Sequence, residues 1–398
     1  MSGLTRKNLI NGAAGRPLAA TAVLIIYLIL IFMFYRNTPI YHLFSQGAGT
    51  HVNYEKAEVI NIQKELISRD SDSGLDVGYQ EVDIRILTGE HKGQVMTVKN
   101  YLNYTTNIRA RAGSAVIVCI DTASQDAYDV WIYSYDRGPF LYIFALLFIA
   151  VLCAIGGSRG LKSVLGIIFT FASIVFLFIP MLYRGYSPAL AAVGVLIVTI
   201  CVTLVLLGGF SPKTLSAVLG ATAGVAISAV ILVVALSITH LSGYSTNESD
   251  VLIQIAGRTH MKIGELLFAA ILISSLGAIM DIAISIASAV TEVYAGNSKL
   301  TAQELFRSGM NVGRDMMGTM ANTLIIAFTG TALNTLVLIY SWNVKYYQLL
   351  NNNLIGIYMI QAVSGSIAVI LTVPLVSFIA ARLIPVLAAG PQEQDVAE

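Results

Sequence analysis

The chain has 398 residues, of which 56% are hydrophobic and only 12% are charged. Soluble domains carry about a quarter charged residues, so this composition excludes a water-soluble protein with an ordinary surface and indicates a multispanning membrane protein. The 24 basic and 23 acidic residues nearly cancel, which gives no reason to expect nucleic acid as a partner. Three cysteines, two of them in apolar runs, exclude a disulfide framework and a cysteine-based zinc cluster.

Eight apolar runs predict eight transmembrane helices, because a span needs about 20 apolar residues. The first, 18–35, follows basic residues and lacks a small-residue cleavage pattern, so we expect an uncleaved signal anchor. Basic residues in the short flanks favour the side of the N-terminus by ten to five, which predicts that both termini are cytoplasmic. The other seven runs lie near 140–157, 161–183, 188–207, 213–240, 263–292, 316–342 and 354–383.

A polar segment of about 90 residues separates the first two predicted spans. Apolar residues alternate in 81–87, and two more strand-like stretches follow at 94–98 and 115–118. Five or six such strands predict a small extracytoplasmic β-barrel-like domain of OB or SH3-like kind. We therefore divide the chain into 1–46 (signal-anchor helix and flank), 47–138 (extracytoplasmic β domain) and 139–398 (seven-helix membrane core). Turn glycines separate the strands, namely Gly89, Gly93 and Gly113.

Small residues recur at four-residue spacing in the run 213–240. Such a stripe lets helix backbones approach closely, so we predict that it packs against other helices. Its members are Ser216, Gly220, Gly224 and Ser228.

Asp281 is the one ionisable residue well inside a predicted span. Polar and small residues at three- and four-residue steps place it on one helix face, and burying an Asp at a helix centre costs about 2.5–3.5 kcal/mol. We therefore expect this face to line a bundle interior or a wet cavity and to bind a proton or a monovalent cation. The alternative is an Asp satisfied by serine hydroxyls that serves packing only. The face consists of Ser274, Gly277, Asp281, Ser285, Ser288 and Glu292.

The next span could supply neutral oxygen ligands from Asn322 and Thr323, although hydrogen bonding between helices explains these two residues equally well. The segment before this span, 301–313, is expected to lie along the membrane surface. Asp315 is then expected at the start of the following transmembrane helix, where it forms a salt bridge. Gly330 and Pro374 are candidate helix interruptions of the kind that transporter sites use.

Enzyme chemistry is not supported by the sequence. Residues 156–160 match the G-x-S-x-G pattern, but an apolar span precedes them where a nucleophile elbow needs a strand. The five histidines fall on the opposite side of the membrane from Ser158 in the predicted topology, so no base is available to it. No phosphate-binding loop of the G-x-x-x-x-G-K-[ST] type occurs either. We expect no cofactor beyond a coupling proton or cation.

Three stretches, 277–293, 313–328 and 87–102, resemble the YibE/F family of multispanning bacterial membrane proteins. The resemblance implies this architecture and a location in the bacterial cytoplasmic membrane, but it implies no substrate. The residues themselves favour a secondary transporter or ion-coupled permease. The alternative is a scaffold or assembly factor. In that case, residues 47–138 would form the contact with an envelope protein or with other copies of the chain in a homo-oligomer.

Overall fold

The computed structural model describes residues 25, 27–29, 31–39, 52–122 and 129–388. A five-stranded sheet comes first and a series of long helices follows, which confirms the predicted fold class. The chain divides into two compact units, one of residues 42–154 and the other of residues 1–41 and 155–398. The predicted first span lies partly outside the described residues, and its described part is helix α1, Tyr27–Arg36.

The sheet is antiparallel, with strand order β3-β2-β1-β4-β5. The three predicted strands are confirmed within β2, β3 and β4. Strand β1 is unexpectedly long, and it pairs with β4 through its first half and with β2 through its second half. Two register shifts in the pairing of β1 with β2 bend the strand, as bulges do. The strands are β1 Val52–Arg69, β2 Asp76–Ile86, β3 Val95–Leu102, β4 Ala115–Asp121 and β5 Asp129–Tyr135.

The predicted turn glycines are confirmed by their backbone angles. Gly89, Gly93 and Gly113 have φ values of 73°, 88° and 81°, a region that glycine enters without steric cost. One face of the sheet forms an aliphatic core around Val59, Val82, Ile84, Val118 and Ile132.

A buried polar network ties the loop before β4 to this sheet. Gln80 donates to Glu65 Oε1 and to the Ala110 carbonyl, both at 3.1 Å, and its own Oε1 accepts from Asn100 Nδ2 at 3.1 Å. Arg109 closes the network with Glu65 at 3.0 Å and Asp76 at 3.3 Å.

The described residues contain five helices long and apolar enough to cross a membrane, or six when one bent pair is taken as a single span. This is fewer than the eight spans that the sequence predicts. The difference has two sources. The first predicted span is only partly described, and the runs 140–157 and 161–183 form two helices that meet at a kink at Gly157 within one 46-residue element, Gly138–Tyr183.

That element comprises α2 Gly138–Ser173, a π-helical turn Ile174–Phe178 and α3 Ile179–Tyr183. Its only non-helical residue is Gly157, with φ 54° and ψ −132°. The element has 46 residues, more than twice the about 20 that one span needs, and the kink at Gly157 divides it into two helices. Gly157 lies between the two predicted spans, where the sequence predicts a tight loop.

The remaining helices are α4 Pro188–Gly208, α5 Pro212–Thr239, α6 Ser249–Ala256, α7 Leu266–Gly296, α8 Ala302–Thr331, α9 Leu333–Ser341, α10 Tyr346–Leu350 and α11 Asn353–Ala388. Helices α4, α5 and α8 begin at side-chain caps, because the hydroxyls of Ser187, Ser211 and Thr301 accept from backbone N–H groups of the first turn.

Helix α8 corrects three predictions. The expected surface helix at 301–313 and the following span are one continuous helix, so Asp315 lies inside α8 and not at a helix start. Asp315 and Arg314 are both exposed, and no ion pair involves them within the described residues. The chain bends by 59° at Ala332, between α8 and α9, two residues after the predicted interruption at Gly330. Helix α11, in contrast, continues through Pro374.

Helix α11 is the centre of the helical unit, because it packs against α5, α7 and α8. The predicted small-residue stripe of α5 is buried along its whole length. A Cβ at Gly220 would overlap Val376, and one at Gly224 would overlap Thr372. Glycine at these two positions therefore permits the close approach of α5 to α11.

Side-chain contacts show which helix connections share one end of the bundle. Arg184 Nε donates to Thr38 Oγ1 at 2.9 Å, and the Ala189 N–H donates to Glu265 Oε2 at 3.2 Å. Leu241 lies close to Gly356 in the same region. All of these connections fall on the predicted outer side, so the structure groups the loops as the sequence predicts.

Candidate functional site

Asp281 is the midpoint of the 31-residue helix α7, fifteen residues from either end. This corresponds to about 22 Å of helix on each side, so the residue is as far from both helix ends as the helix allows. The surrounding sequence is apolar, and nothing in it provides a cation for the carboxylate.

The predicted polar face of α7 points away from the core of the chain. Gly277, Asp281 and Glu292 are exposed, whereas Ser274, Ser285 and Ser288 are half-buried. The opposite face, including Ile279, Ile282 and Ile286, is fully buried against α5 and α11. Gly277, Asp281 and Glu292 therefore do not line the interior of the helical unit within one chain, and a wet cavity on this face stays a prediction.

Two serine hydroxyls on this face, each about two helical turns from Asp281, donate to their own helix. Ser274 donates to the Ile271 carbonyl at 2.8 Å and Ser288 to the Ile284 carbonyl at 2.7 Å. Within the described residues, Asp281 has neither a hydrogen-bond partner nor an ion-pair partner. Ser274 and Ser288 thus share a face with the carboxyl but donate their hydroxyl hydrogens elsewhere.

Helix α8 runs antiparallel to α7. A Cβ at Gly309 would lie 3.0 Å from Val290, and one at Gly313 would lie 3.2 Å from Ile286. Four residues forward along α8 therefore correspond to four residues backward along α7. The same count places Gly318 at the depth of Asp281, and Asn322 at the depth of Gly277.

Asn322 and Thr323 are both exposed, and the structure does not bring them into hydrogen-bond contact with Asp281 within the residues it describes. Thr323 donates to the Thr319 carbonyl at 2.9 Å. The face of α8 that points away from α11 is polar over three turns, through Asn311, Asp315 and Asn322. The helix therefore carries an outward polar surface at the same depth as the face of α7.

Gln361 of α11 is a site residue that the sequence analysis missed. Its side-chain amide donates to Ser274 Oγ at 3.1 Å, which connects α11 to the polar face of α7. The available signal was an amide side chain within an otherwise apolar and small-residue run. Gly309 and Gly313 of α8 also form a close-packing pair that the sequence did not predict. Their four-residue spacing is the same as that of the small-residue stripe on α5.

No group of three or more His, Cys, Asp or Glu side chains that could hold a metal ion occurs among the described residues. Two clefts lie away from Asp281. One, of about 470 Å³, is apolar and lies beside Cys201, Phe210 and Leu387. The other, of about 690 Å³, lies between the edge strands β3 and β5, beside Lys99, Tyr101 and Trp131.

Comparison with known proteins yields two matches along the chain. Residues 144–386 match the YibE/F-like protein family, and residues 51–135 match the YibE/F family N-terminal domain. No curated protein and no solved structure matches the chain. The two matches cover the helical region and the sheet respectively. The chain therefore belongs to the YibE/F family, and its apolar helices make it a multispanning membrane protein.

Proposed function

We propose that this protein is a secondary transporter or ion-coupled permease of the bacterial cytoplasmic membrane, in which Asp281 binds the coupling proton or monovalent cation. The observation that carries the proposal is a carboxyl at the midpoint of an apolar helix without a hydrogen-bond or ion-pair partner among the described residues. Ionisable groups at this depth are rare and mark ion pathways and proton relays.

The alternative role for Asp281, in packing, predicts a carboxyl that is satisfied by neighbouring donors. The hydroxyls of Ser274 and Ser288 donate elsewhere, and the Asp281 side chain is exposed. A carboxyl without a hydrogen-bond or ion-pair partner among the described residues still carries an insertion cost of about 2.5–3.5 kcal/mol. Ion binding accounts for that cost, whereas packing does not.

The test is ion flux in liposomes that contain the purified full chain. We expect wild-type protein to move protons or a monovalent cation in response to an imposed gradient, and Asp281→Asn to abolish this flux while its melting temperature stays unchanged. Glu292→Gln is the matched control, because it neutralises a carboxyl on the same face at the end of the helix. Full flux through Asp281→Asn, or equal loss in both variants, would remove Asp281 from the mechanism.

A second candidate, a scaffold that binds an envelope partner, is favoured by the outer face of the sheet. Tyr101 and Tyr133 are 59% and 56% exposed, and Trp131 is 40% exposed beside the cleft between β3 and β5. Aromatic side chains of this kind are frequent anchors in protein interfaces. If the protein is a scaffold, the double variant Tyr101→Ser, Trp131→Ser would abolish the cellular phenotype of the protein, and Asp281→Asn would have no effect on it. The transporter function predicts the opposite pattern.

A further inference from the structure

Gln361 and Ser274 form a polar pair well inside two apolar helices. Each lies eight residues after the first residue of its helix, Asn353 for α11 and Leu266 for α7. Eight residues correspond to about 12 Å of helix. The Gln361 amide donates to Ser274 Oγ at 3.1 Å, and both side chains are half-buried. The pair is therefore held by a defined hydrogen bond without being sealed inside the core.

Helices α7 and α11 run parallel and keep the same register along this stretch. A Cβ at Gly313 would meet both Ile286 of α7 and Val373 of α11, which are 87 residues apart. Ser274 and Gln361 are also 87 residues apart. The pair thus belongs to a regular helix contact, which fixes its depth relative to the rest of α7.

Polar or open positions recur between this pair and Asp281. Ser274 lies seven residues before Asp281, which is two helical turns away on the same face of α7. One turn before Asp281, Gly277 is exposed, and a Cβ there would meet no atom within 4 Å. Asn322 of α8 is exposed at the depth of Gly277. A polar or open position therefore occurs at about every 5.4 Å turn from the pair to the carboxyl.

Both oxygens of the pair can accept a further ligand. The Gln361 amide oxygen has no hydrogen-bond partner among the described residues. Ser274 Oγ donates to the Ile271 carbonyl at 2.8 Å and accepts from Gln361, which leaves one lone pair free. Amide and hydroxyl oxygens are ligands that a cation takes in place of water. The neighbouring Ser275, in contrast, is fully buried, and its hydroxyl donates to the Leu272 carbonyl at 2.9 Å.

We propose that Gln361 Oε1 and Ser274 Oγ form a neutral oxygen site, which a monovalent cation occupies on its way between the beginning of α7 and Asp281. This inference rests on the proposed function for the destination of the ion. The hydrogen bond from Gln361 to Ser274 is then a positioning contact, because it holds the amide oxygen beside the hydroxyl. Packing alone predicts a bond between fully buried side chains, whereas both side chains are half-buried.

The first experiment tests whether water reaches the pair, independently of transport. Single cysteines are introduced as Ser274→Cys or Ser275→Cys, and the full chain in native membranes is treated with a charged thiol reagent. Ser275→Cys is the matched control, because it lies at nearly the same depth on the buried side of α7. We expect labelling of Ser274→Cys and none of Ser275→Cys. Equal labelling, or none at Ser274→Cys, would overturn the site. The native cysteines are first replaced by Ala, namely Cys119, Cys153 and Cys201.

The second experiment separates an oxygen ligand from a helix-joining bond. Gln361→Leu removes both the donor and the acceptor, whereas Gln361→Glu loses the donated hydrogen bond and keeps an acceptor oxygen. Flux of Na⁺ and of K⁺ into liposomes gives the half-saturating concentration of each ion. We expect this concentration to rise about tenfold in Gln361→Leu, as for one lost contact to a charged group, and to stay at or below the wild-type value in Gln361→Glu. Equal half-saturating concentrations in the two variants would overturn the site, because a bond that only joins the helices is lost in both.

Failure of this inference is distinguishable from failure of the proposed function. Loss of flux in Asp281→Asn, with equal half-saturating concentrations in the two Gln361 variants, would support the transporter and refute the oxygen site. A wild-type chain that moves protons but neither Na⁺ nor K⁺ would do the same. Full flux through Asp281→Asn, with a raised half-saturating concentration in Gln361→Leu, would keep the oxygen site and refute the role of Asp281.

Discussion

The side-chain amide of Gln361 donates a hydrogen bond to Ser274 Oγ at 3.1 Å. Ser274 lies two helical turns before Asp281 on the same face of α7, so the central helix α11 is fixed directly to the polar face. This contact gives the face a defined rotation relative to the bundle, although the carboxyl itself has no polar contact among the described residues.

We expect the Gln361–Ser274 hydrogen bond to stabilise the helical unit modestly, by about 0.6 kcal/mol, as interhelical hydrogen bonds in membranes do. Gln361→Leu and Ser274→Ala should each lower the melting temperature slightly. Their effects should not add in the double variant, because both remove the same bond. Strictly additive melting shifts would show that the bond does not form in the membrane.

Gly313 allows α8 to contact α11 and α7. A Cβ at this position would overlap Val373, and it would lie 3.2 Å from Ile286. Gly313→Ala should therefore destabilise the protein by about 1–3 kcal/mol, the usual cost of overpacking a close contact.

Gly318 supplies the control for this prediction, since it lies in the same helix and a Cβ there would meet nothing within 4 Å. Gly318→Ala should be neutral or slightly stabilising, because alanine is the better helix former. Thermal unfolding in detergent compares the two variants. Equal melting temperatures would contradict the contact.

The stability of the sheet domain should depend on its buried amide network. Gln80 is fully buried and makes hydrogen bonds through both its Nε2 and its Oε1, so Gln80→Leu leaves the N–H and the carbonyl of Ala110 without their partner. Asn100 loses one of its two hydrogen bonds and keeps the one to the Ile108 carbonyl at 2.7 Å. We expect the free energy of unfolding to fall by about 1–3 kcal/mol for each unsatisfied group. Residues 47–137 expressed alone should fold with β-type circular dichroism, and urea unfolding of this fragment measures the loss. A helical spectrum or an unfolded fragment would contradict an autonomous sheet domain.

Cys119 should behave as a core residue and not as a reactive thiol. It is 1% exposed, and burial raises the pKa of its thiol, so the thiolate is disfavoured in the folded domain. The contribution of the buried, neutral Cys119 thiol to folding stability is complete below the pKa of the thiol in the unfolded chain, about 8.5. It is lost as the pH rises through the pKa of the thiol in the folded domain.

We therefore expect no labelling of Cys119 by an aromatic disulfide reagent at pH 8 in a chain that carries Cys153→Ala and Cys201→Ala. Labelling should become complete in urea. A folded chain that reacts at the rate of a free thiol would show that the side chain is accessible.

The sequence predicts the sheet domain and most of the helices because their patterns are local. Alternation identified β2, β3 and β4, while β1 escaped notice because its register shifts interrupt the alternation that defines a strand. The stripe of α5 was visible as a four-residue repeat, and its contact partners on α11 became known only from the structure. Helix α8 was divided wrongly because its polar first half resembles a surface segment, although one continuous helix forms.

The site could be predicted as a helix face but not as an arrangement of ligands. Spacing alone places Asp281 with Ser285 and Ser288, whereas the direction of that face depends on which side of α7 the other helices occupy. A polar stripe suits an interior cavity and a contact between chains equally well. The long-range partner Gln361 is separated from Ser274 by 87 residues, so no local pattern relates the two.

The central claim is that Asp281 binds the coupling ion, and ion-dependent thermal stability tests it most directly. Protons, Na⁺ and K⁺ are titrated separately against the melting temperatures of wild-type protein and Asp281→Asn. Binding to the folded state should stabilise wild-type protein by about 2.7 kcal/mol at one hundred times the dissociation constant. We expect one of these ions to raise the wild-type melting temperature and to have no effect on an Asp281→Asn variant of equal starting stability. Equal responses of the two proteins to every ion would contradict the claim.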